Sequence, residues 1–181
     1  PGSPVAKFRV TSTVGHMWSL DFPREYNNVQ TVQPAELFRA PTVHLEDPRP
    51  RISEHLSTEA TDCDFLVLWL DCDREGENIC FEVINTVHPY MNNPPRVGAP
   101  TAFMGSIFRA QFSSLAPQDL VHAMSQGLTH PNINESRSVD ARQEIDLKLG
   151  VAFSRFQTRF FREHFGQQLG KLSVTYGPCQ T

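Results

Sequence analysis

At 181 residues the chain is long enough to bury one good core and part of a second. Its hydrophobic share of 39% and charged share of 20% are ordinary for a soluble globular protein, and no apolar run approaches the roughly 18–20 residues that span a bilayer. A net charge of −4 argues against a protein that coats nucleic acid nonspecifically, but leaves room for a nucleic-acid enzyme whose carboxylates hold a metal.

Pro1-Gly2-Ser3 reads as an expression scar, and the missing Met makes a truncated chain the expectation. Phe8–Ser12 alternates apolar and polar residues and predicts a strand. Residues 21–61 read as irregular, apart from a short proline-started helix at Pro34–Phe38; the proline-rich run from Pro41 to Pro50 reads as loop. Phe65-Leu-Val-Leu-Trp-Leu70 is continuously apolar, the pattern of a strand buried on both faces. From Glu75 to Val87 the pattern turns helical, with Ile79, Val83 and Val87 on one face. Strand, charged turn and helix in that order are half of a βαβ unit.

A loop follows over residues 88–101, then a strand at Ile107–Ser113 and a short helix at Pro117–Gln126. Glu135 to Phe165 predicts a long helix ended by Gly166, and Lys171–Thr175 one more strand. The fold class expected is α/β, with a boundary near residue 116 and a mostly helical part, 117–181, beyond it. The four cysteines, Cys63, Cys72, Cys80 and Cys179, form no CxxC pair, which argues against a zinc site or a disulfide framework and favours a reducing compartment.

The chemistry concentrates in Asp71-Cys-Asp73-Arg-Glu75-Gly-Glu77. Carboxylates at alternate positions after a buried strand repel one another unless a cation sits among them. Mg²⁺ suits them, because it takes a few carboxylates, keeps its waters and shares a phosphate. The place suits them too: open α/β sheets bind ligands beyond the carboxyl ends of their strands. A rival reading is calcium. Asp71, Asp73, Glu75, Gly76 and Glu82 fall at the first, third, fifth, sixth and twelfth positions of an EF-hand loop. An EF-hand loop follows a helix, however, and the lead-in here is strand-like. A solvated acidic helix cap without metal is the plainest alternative.

The stretch LWLDCDREGENICFEVI resembles the Toprim domain of type IA DNA topoisomerases, most closely their topoisomerase III beta branch. Further segments resemble the family in order: Thr11–Met17 its Gly-His segment, Phe108–Ser114 its arginine-bearing strand, Ser138–Asp146 its helical-domain motif, and Tyr176–Thr181 the stretch leading into its gate. The resemblance implies a Toprim domain over residues 4–116 and cleavage of single-stranded DNA through a 5′-phosphotyrosine. Asp71, Asp73 and Glu75 then hold Mg²⁺, Arg109 contacts the scissile phosphate region and His16 helps arrange the site. Arg142, Asp146 and Gln180 then contact nucleic acid. RNA is left open as a second substrate, a Tudor-domain scaffold protein as a partner, and the nucleus is the expected location, with the cytoplasm left open. The family's Glu-Lys-Pro-Ser strand and catalytic tyrosine have no match here; Tyr26, Tyr90 and Tyr176 read as structural, so no cleavage is expected of this stretch alone. Another Toprim phosphotransferase, a primase or nuclease, is the alternative enzyme; a non-catalytic calcium- or nucleic-acid-binding module is the alternative outside enzymes.

Several of these residues have plainer readings. Arg142 and Asp146, one helical turn apart, fall on the wheel with Ile145, Leu149, Phe153, Phe156 and Phe160, which by itself reads as a semi-buried structural ion pair. Arg155, Arg159 and Arg162 form a stripe on roughly the opposite face, either solvated or set against phosphates. Arg109 alone reads as an edge arginine, His16 as a turn histidine, Cys72 as facing the core and Trp18 and Trp69 as core residues.

Overall fold

The computed structural model describes residues 6–46, 51–92, 105–169 and 174–177. In chain order the elements are β1 (Trp18–Asp21), β2 (Val43–Glu46), α1 (Ile52–Ala60), β3 (Leu66–Leu68), α2 (Arg74–Val87), β4 (Ile107–Ala110), α3 (Pro117–Gln126), β5 (Leu128–Thr129) and α4 (Ile133–Leu169). The α/β class expected from the sequence holds. The chain forms two compact units, one of residues 1–17 and 47–137, the other of residues 18–46 and 138–181. They do not divide near residue 116: residues 117–137 pack with the first unit, and residues 18–46 join the second.

The first unit is built on a three-stranded sheet in the order β3-β4-β5. β3 and β4 run parallel, with Leu66, Val67 and Leu68 opposite Ile107, Phe108 and Arg109, and α2 lies between them in the chain. That is the crossover a parallel pair requires. β5 closes the other side antiparallel to β4. α1 packs on α2, whose Cys80, Val83, Ile84 and Val87 are buried. α3 starts at Pro117, where the missing N–H costs nothing, and gives way to β5 through Gly127.

Several expectations need correction. Phe8–Ser12 forms no strand. Phe8 and Val10 are exposed, and the segment is held by side chains instead: Arg9 Nη1 donates to the carbonyls of Glu59 and Thr61, and the Thr11 hydroxyl bonds His55 Nε2. The apolar run at 65–70 yields a strand of three residues that is not buried on both faces. Leu68 is inside, but Phe65 is 65% exposed and Trp69 37%; their rings lie beside those of Phe108 and Phe112. β2 lies in the run read as loop, and α1 in the stretch read as irregular. Proline punctuation hid both. Lys171–Ser173 lies outside the described residues, and Val174–Gly177 carries no strand.

In the second unit β1 and β2 pair antiparallel, Trp18 opposite Glu46 and Asp21 opposite Val43. Between them the chain makes two 3₁₀ turns, Arg24–Asn27 and the expected Pro34–Phe38. Phe22, Val32, Leu37 and Ala40 from this region form a core with Ala152 of α4; Tyr26, Leu147 and Val151 pack around it. Arg155 and Arg159 are half-buried and engaged by the chain itself. Arg155 Nη1 donates to the Tyr26 carbonyl at 2.7 Å, and Arg159 to Gln33 Oε1 and the carbonyls of Val29 and Gln30, so they tie the 24–33 segment to α4. Burial and then the neighbouring Arg159 lower the Arg155 pKa. α4 breaks its helical geometry at Phe165 (φ −133°, ψ 24°), beside the glycine expected to end it.

Candidate active site

β3 ends at Leu68, and the next residues lead directly into α2. Asp73 starts that helix as its N-cap, with Oδ1 accepting from the Gly76 amide at 2.7 Å. An aspartate in extended backbone at the N-cap satisfies a donor that the helix cannot. The turn is tight: a Cβ on Gly76 would lie 1.9 Å from the Asp71 carbonyl oxygen, so no other residue fits that backbone path. Asp71, Cys72 and Asp73 are exposed. Cys72 therefore does not face the core; its sulfur lies along the backbone next to β4, accepting from the Phe112 amide.

His16 comes to this turn from a distant part of the chain. Gly15 before it has φ +80°, a conformation that favours glycine. The His16 ring lies between two carboxylates, Nε2 3.1 Å from Glu75 Oε2 and Nδ1 2.9 Å from Glu82 Oε1, while Glu82 Oε2 accepts from the Met17 amide. Two carboxylate partners are satisfied together only when both ring nitrogens carry protons. Its pKa is accordingly raised above 6.5, first by the hydrogen bond to Glu82, with burial opposing and Glu75 adding. The stabilisation is therefore complete below the unfolded-state pKa of 6.5 and is lost as pH rises through the higher folded-state value. Following the His16 ring protons by NMR should give a midpoint above 6.5, and Glu82→Gln should lower it more than Glu75→Gln. A midpoint at or below 6.5 would contradict this geometry.

Arg109 is placed differently from the expectation. It is 0% exposed, so it does not offer its guanidinium to a phosphate in solvent. Its Nε donates to Glu77 Oε1 at 2.8 Å, and its Nη1 to the carbonyls of Leu70 at 2.7 Å and Ala110 at 3.1 Å; Nη2 donates to the Asp71 carbonyl. The physical reason is strand parity. Arg109 shares the inward side of β4 with buried Ile107, where a charge must find partners. Glu77 is 5% exposed, and its Oε2 accepts from the Asn132 amide, just ahead of α4. Next to it the buried Asn78 donates to the Ser136 carbonyl and hydroxyl. Burial also pushes the neighbouring Cys80 thiol up to about 12, with Arg109 opposing.

The sequence names Glu77 only as part of the acidic turn and Glu82 only as the twelfth position of the rival calcium loop, not as partners of Arg109 and His16. Both had signals. Glu77 is in register with Cys80 and Ile84 on the inward face of α2, and a charge there requires a partner. Glu82 lies seven residues from Glu75, two turns along the same face.

The EF-hand reading does not fit, because a strand precedes the turn and Arg74 onward is already helix. Nor do the three carboxylates form a cage: among the described residues no group of three or more His, Cys, Asp or Glu is arranged to hold a metal ion. Asp73 is engaged with Gly76 and Glu75 with His16. What the turn offers is two exposed hard-oxygen ligands, Asp71 and Asp73. Mg²⁺ is commonly held by one or two carboxylates together with waters and a substrate phosphate, and Asp73 engages Gly76 through Oδ1 alone, so the pair fits such an ion.

Arg142 and Asp146 pair at 3.2 Å on α4, with side chains 55% and 39% exposed. Arg142 is exposed and Asp146 half-buried; Ile145, Phe153, Phe156 and Phe160, on the same side of the wheel, are exposed. Gln180 lies outside the described residues. Tyr26 packs on the core of the second unit, Tyr176 lies beside Phe153, and Tyr90 is exposed. Among the described residues no helix is long and apolar enough to cross a membrane.

Comparison with known proteins gives a consistent picture. The Toprim domain model matches residues 5–100, more than half of the chain. The chain is 50% identical over 177 residues to DNA topoisomerase 3-beta of Arabidopsis thaliana, covering 97% of this chain and 19% of that protein. It is 48% identical over 182 residues to DNA topoisomerase 3-beta-1 of Mus musculus, covering 99% and 20%. DNA topoisomerase 3-alpha of Homo sapiens is more distant, 36% identical over 175 residues. The chain thus spans about a fifth of the length of the curated 3-beta relatives it matches. These matches point to a divalent metal as cofactor.

Proposed function

Because this chain belongs to the Toprim domain family, we propose that it forms the ion-binding part of a type IA DNA topoisomerase, an enzyme that cuts and rejoins single-stranded DNA through a 5′-phosphotyrosine. The observation that carries the reading is the Asp71-Cys-Asp73 turn, set at the carboxyl end of a parallel strand and locked into α2 by Gly76. In this reading Asp71 and Asp73 hold Mg²⁺. Such an ion, when bound there, would supply charge neutralisation toward a phosphate oxygen. Glu75 is the third carboxylate of the turn, and His16 orients it while Glu82 orients His16. Arg142, Asp146 and Gln180 contact nucleic acid, with RNA as a further substrate. A nuclear location accords with DNA as substrate, and a Tudor-domain scaffold partner rests on the family resemblance alone. Identities of 50% and 48% to proteins named DNA topoisomerase 3-beta and 3-beta-1 favour this reading over a primase or nuclease.

The test is Asp71→Asn with Asp73→Asn in the full-length protein. Mg²⁺-dependent relaxation of supercoiled DNA is expected to fall on the order of 100-fold or more, since the charge stabilising the transferred phosphate is removed. Relaxation within twofold of wild type, at equal protein and Mg²⁺ concentrations, would remove the ion site from the mechanism. The 181-residue stretch alone is expected to leave supercoiled DNA uncut.

A further inference from the structure

The buried Glu77–Arg109 pair lies beneath the acidic turn without facing it, and nothing in the reading above uses it. Arg109 gathers backbone oxygens from the chain that leaves β3: Leu70 at 2.7 Å and, through Nη2, Asp71 itself. Those carbonyls belong to an irregular segment with no ladder of its own, since β3 ends at Leu68. A planar guanidinium has donors at fixed angles, so it can set several acceptors at once; a flexible ammonium cannot. Glu77 fixes the guanidinium through Nε at 2.8 Å and is in turn fixed by the Asn132 amide at 2.9 Å. From the other side Gly76 packs against the same Asp71 carbonyl, and its would-be Cβ position lies 3.4 Å from Arg109 Nη2. The backbone of Asp71 is therefore gripped between a buried arginine and the first turn of α2.

We infer that Glu77 and Arg109 are positioning residues for divalent-ion binding: held by Glu77, Arg109 fixes the Asp71 backbone so that the Asp71 carboxylate is presented beside Asp73. This rests on the proposed ion site at Asp71 and Asp73 and deepens it. It differs from a simple charge effect. Arg109 is a cation, so its field alone opposes a second cation; the grip favours binding through geometry. Partners behind the ligands of a metal site typically contribute about 10–100-fold in affinity.

The experiment measures Mn²⁺ binding to the 181-residue chain by electron paramagnetic resonance of the free ion, with Mg²⁺ as competitor, in wild type, Arg109→Lys and Glu77→Gln. Circular dichroism verifies the fold of each. Arg109→Lys keeps the charge and loses the fork, so the inference expects roughly 10-fold weaker binding; a charge effect alone expects no change. Glu77→Gln, which keeps the acceptor toward Asn132 but breaks the ion pair, is expected to weaken binding in the same direction. Affinities within twofold of wild type in both folded variants overturn the inference and leave the ion site standing. No competable binding in wild type overturns the ion site itself, and this inference with it. Should both variants fail to fold, NMR of wild type decides: titrating Mg²⁺ should move the Gly76 amide and Arg109 Nε–H signals as well as the Asp71 amide. Unmoved Arg109 and Gly76 signals at saturation overturn the grip.

Discussion

Replacing Gly76 with alanine is expected to lower the stability of the first unit by about 3 kcal/mol or more, near the top of the range for overpacked sites. The added methyl would sit 1.9 Å from the Asp71 carbonyl oxygen and 2.9 Å from its carbon. Both are backbone atoms at the carboxyl end of β3, so no side chain can swing aside to make room. The first turn of α2 must move away from the strand, and the Asp73–Gly76 cap and the Arg109 contacts move with it. Gly150→Ala supplies the contrast. Its nearest outside atom is the Tyr176 carbonyl oxygen at 3.5 Å, an ordinary contact, and α4 keeps helical geometry there. That change should stabilise by up to about 1 kcal/mol, the usual gain of alanine over glycine within a helix. Urea unfolding of both variants decides the matter; a Gly76→Ala midpoint equal to wild type would show that the turn has slack that this packing denies.

Glu77→Ala is expected to cost about 3–5 kcal/mol, the range for breaking a buried ion pair by removing one partner. Arg109 would remain as a charge 0% exposed, keeping only its carbonyl acceptors, and the Asn132 amide would lose its acceptor as well. By comparison, Asp146→Ala breaks a pair that is exposed on α4, where an i,i+4 contact contributes only a few tenths of a kcal/mol. Denaturant midpoints of the two variants should therefore differ widely. Replacing Glu77 and Arg109 together, by Leu and Met, should recover part of the Glu77→Ala loss, because apolar groups need no counter-charge. Additive losses in that double variant would mean that the pair is not coupled.

The acidic turn and its helix were legible in the residues. An apolar run, three carboxylates at alternate positions and an amphipathic helix can be read from composition and period, and α2, α3 and most of α4 lie where those patterns place them. Other elements were not. β1 and β2 are four residues each and pair across more than twenty intervening residues, so neither carries a local signal strong enough to outweigh the prolines around β2. β5 is two residues long and exists only because β4 offers it an edge. The stripe of Arg155 and Arg159 looked solvated because the carbonyls that receive it, at Tyr26, Val29 and Gln30, lie about 130 positions away in the chain.

Residue types and their spacing were enough to locate carboxylate chemistry after a strand, because ligand chemistry and helical period are local properties; the family came from the resemblance of whole segments. Which charges are buried was settled by packing over long separations. Arg109 turned inward to Glu77 and Glu75 turned to His16, while Asp71 and Asp73 stayed exposed. A side chain's partner depends on where distant segments meet, and burial raises the free-energy cost of leaving a charge without one, so these assignments emerge only when the chain has folded.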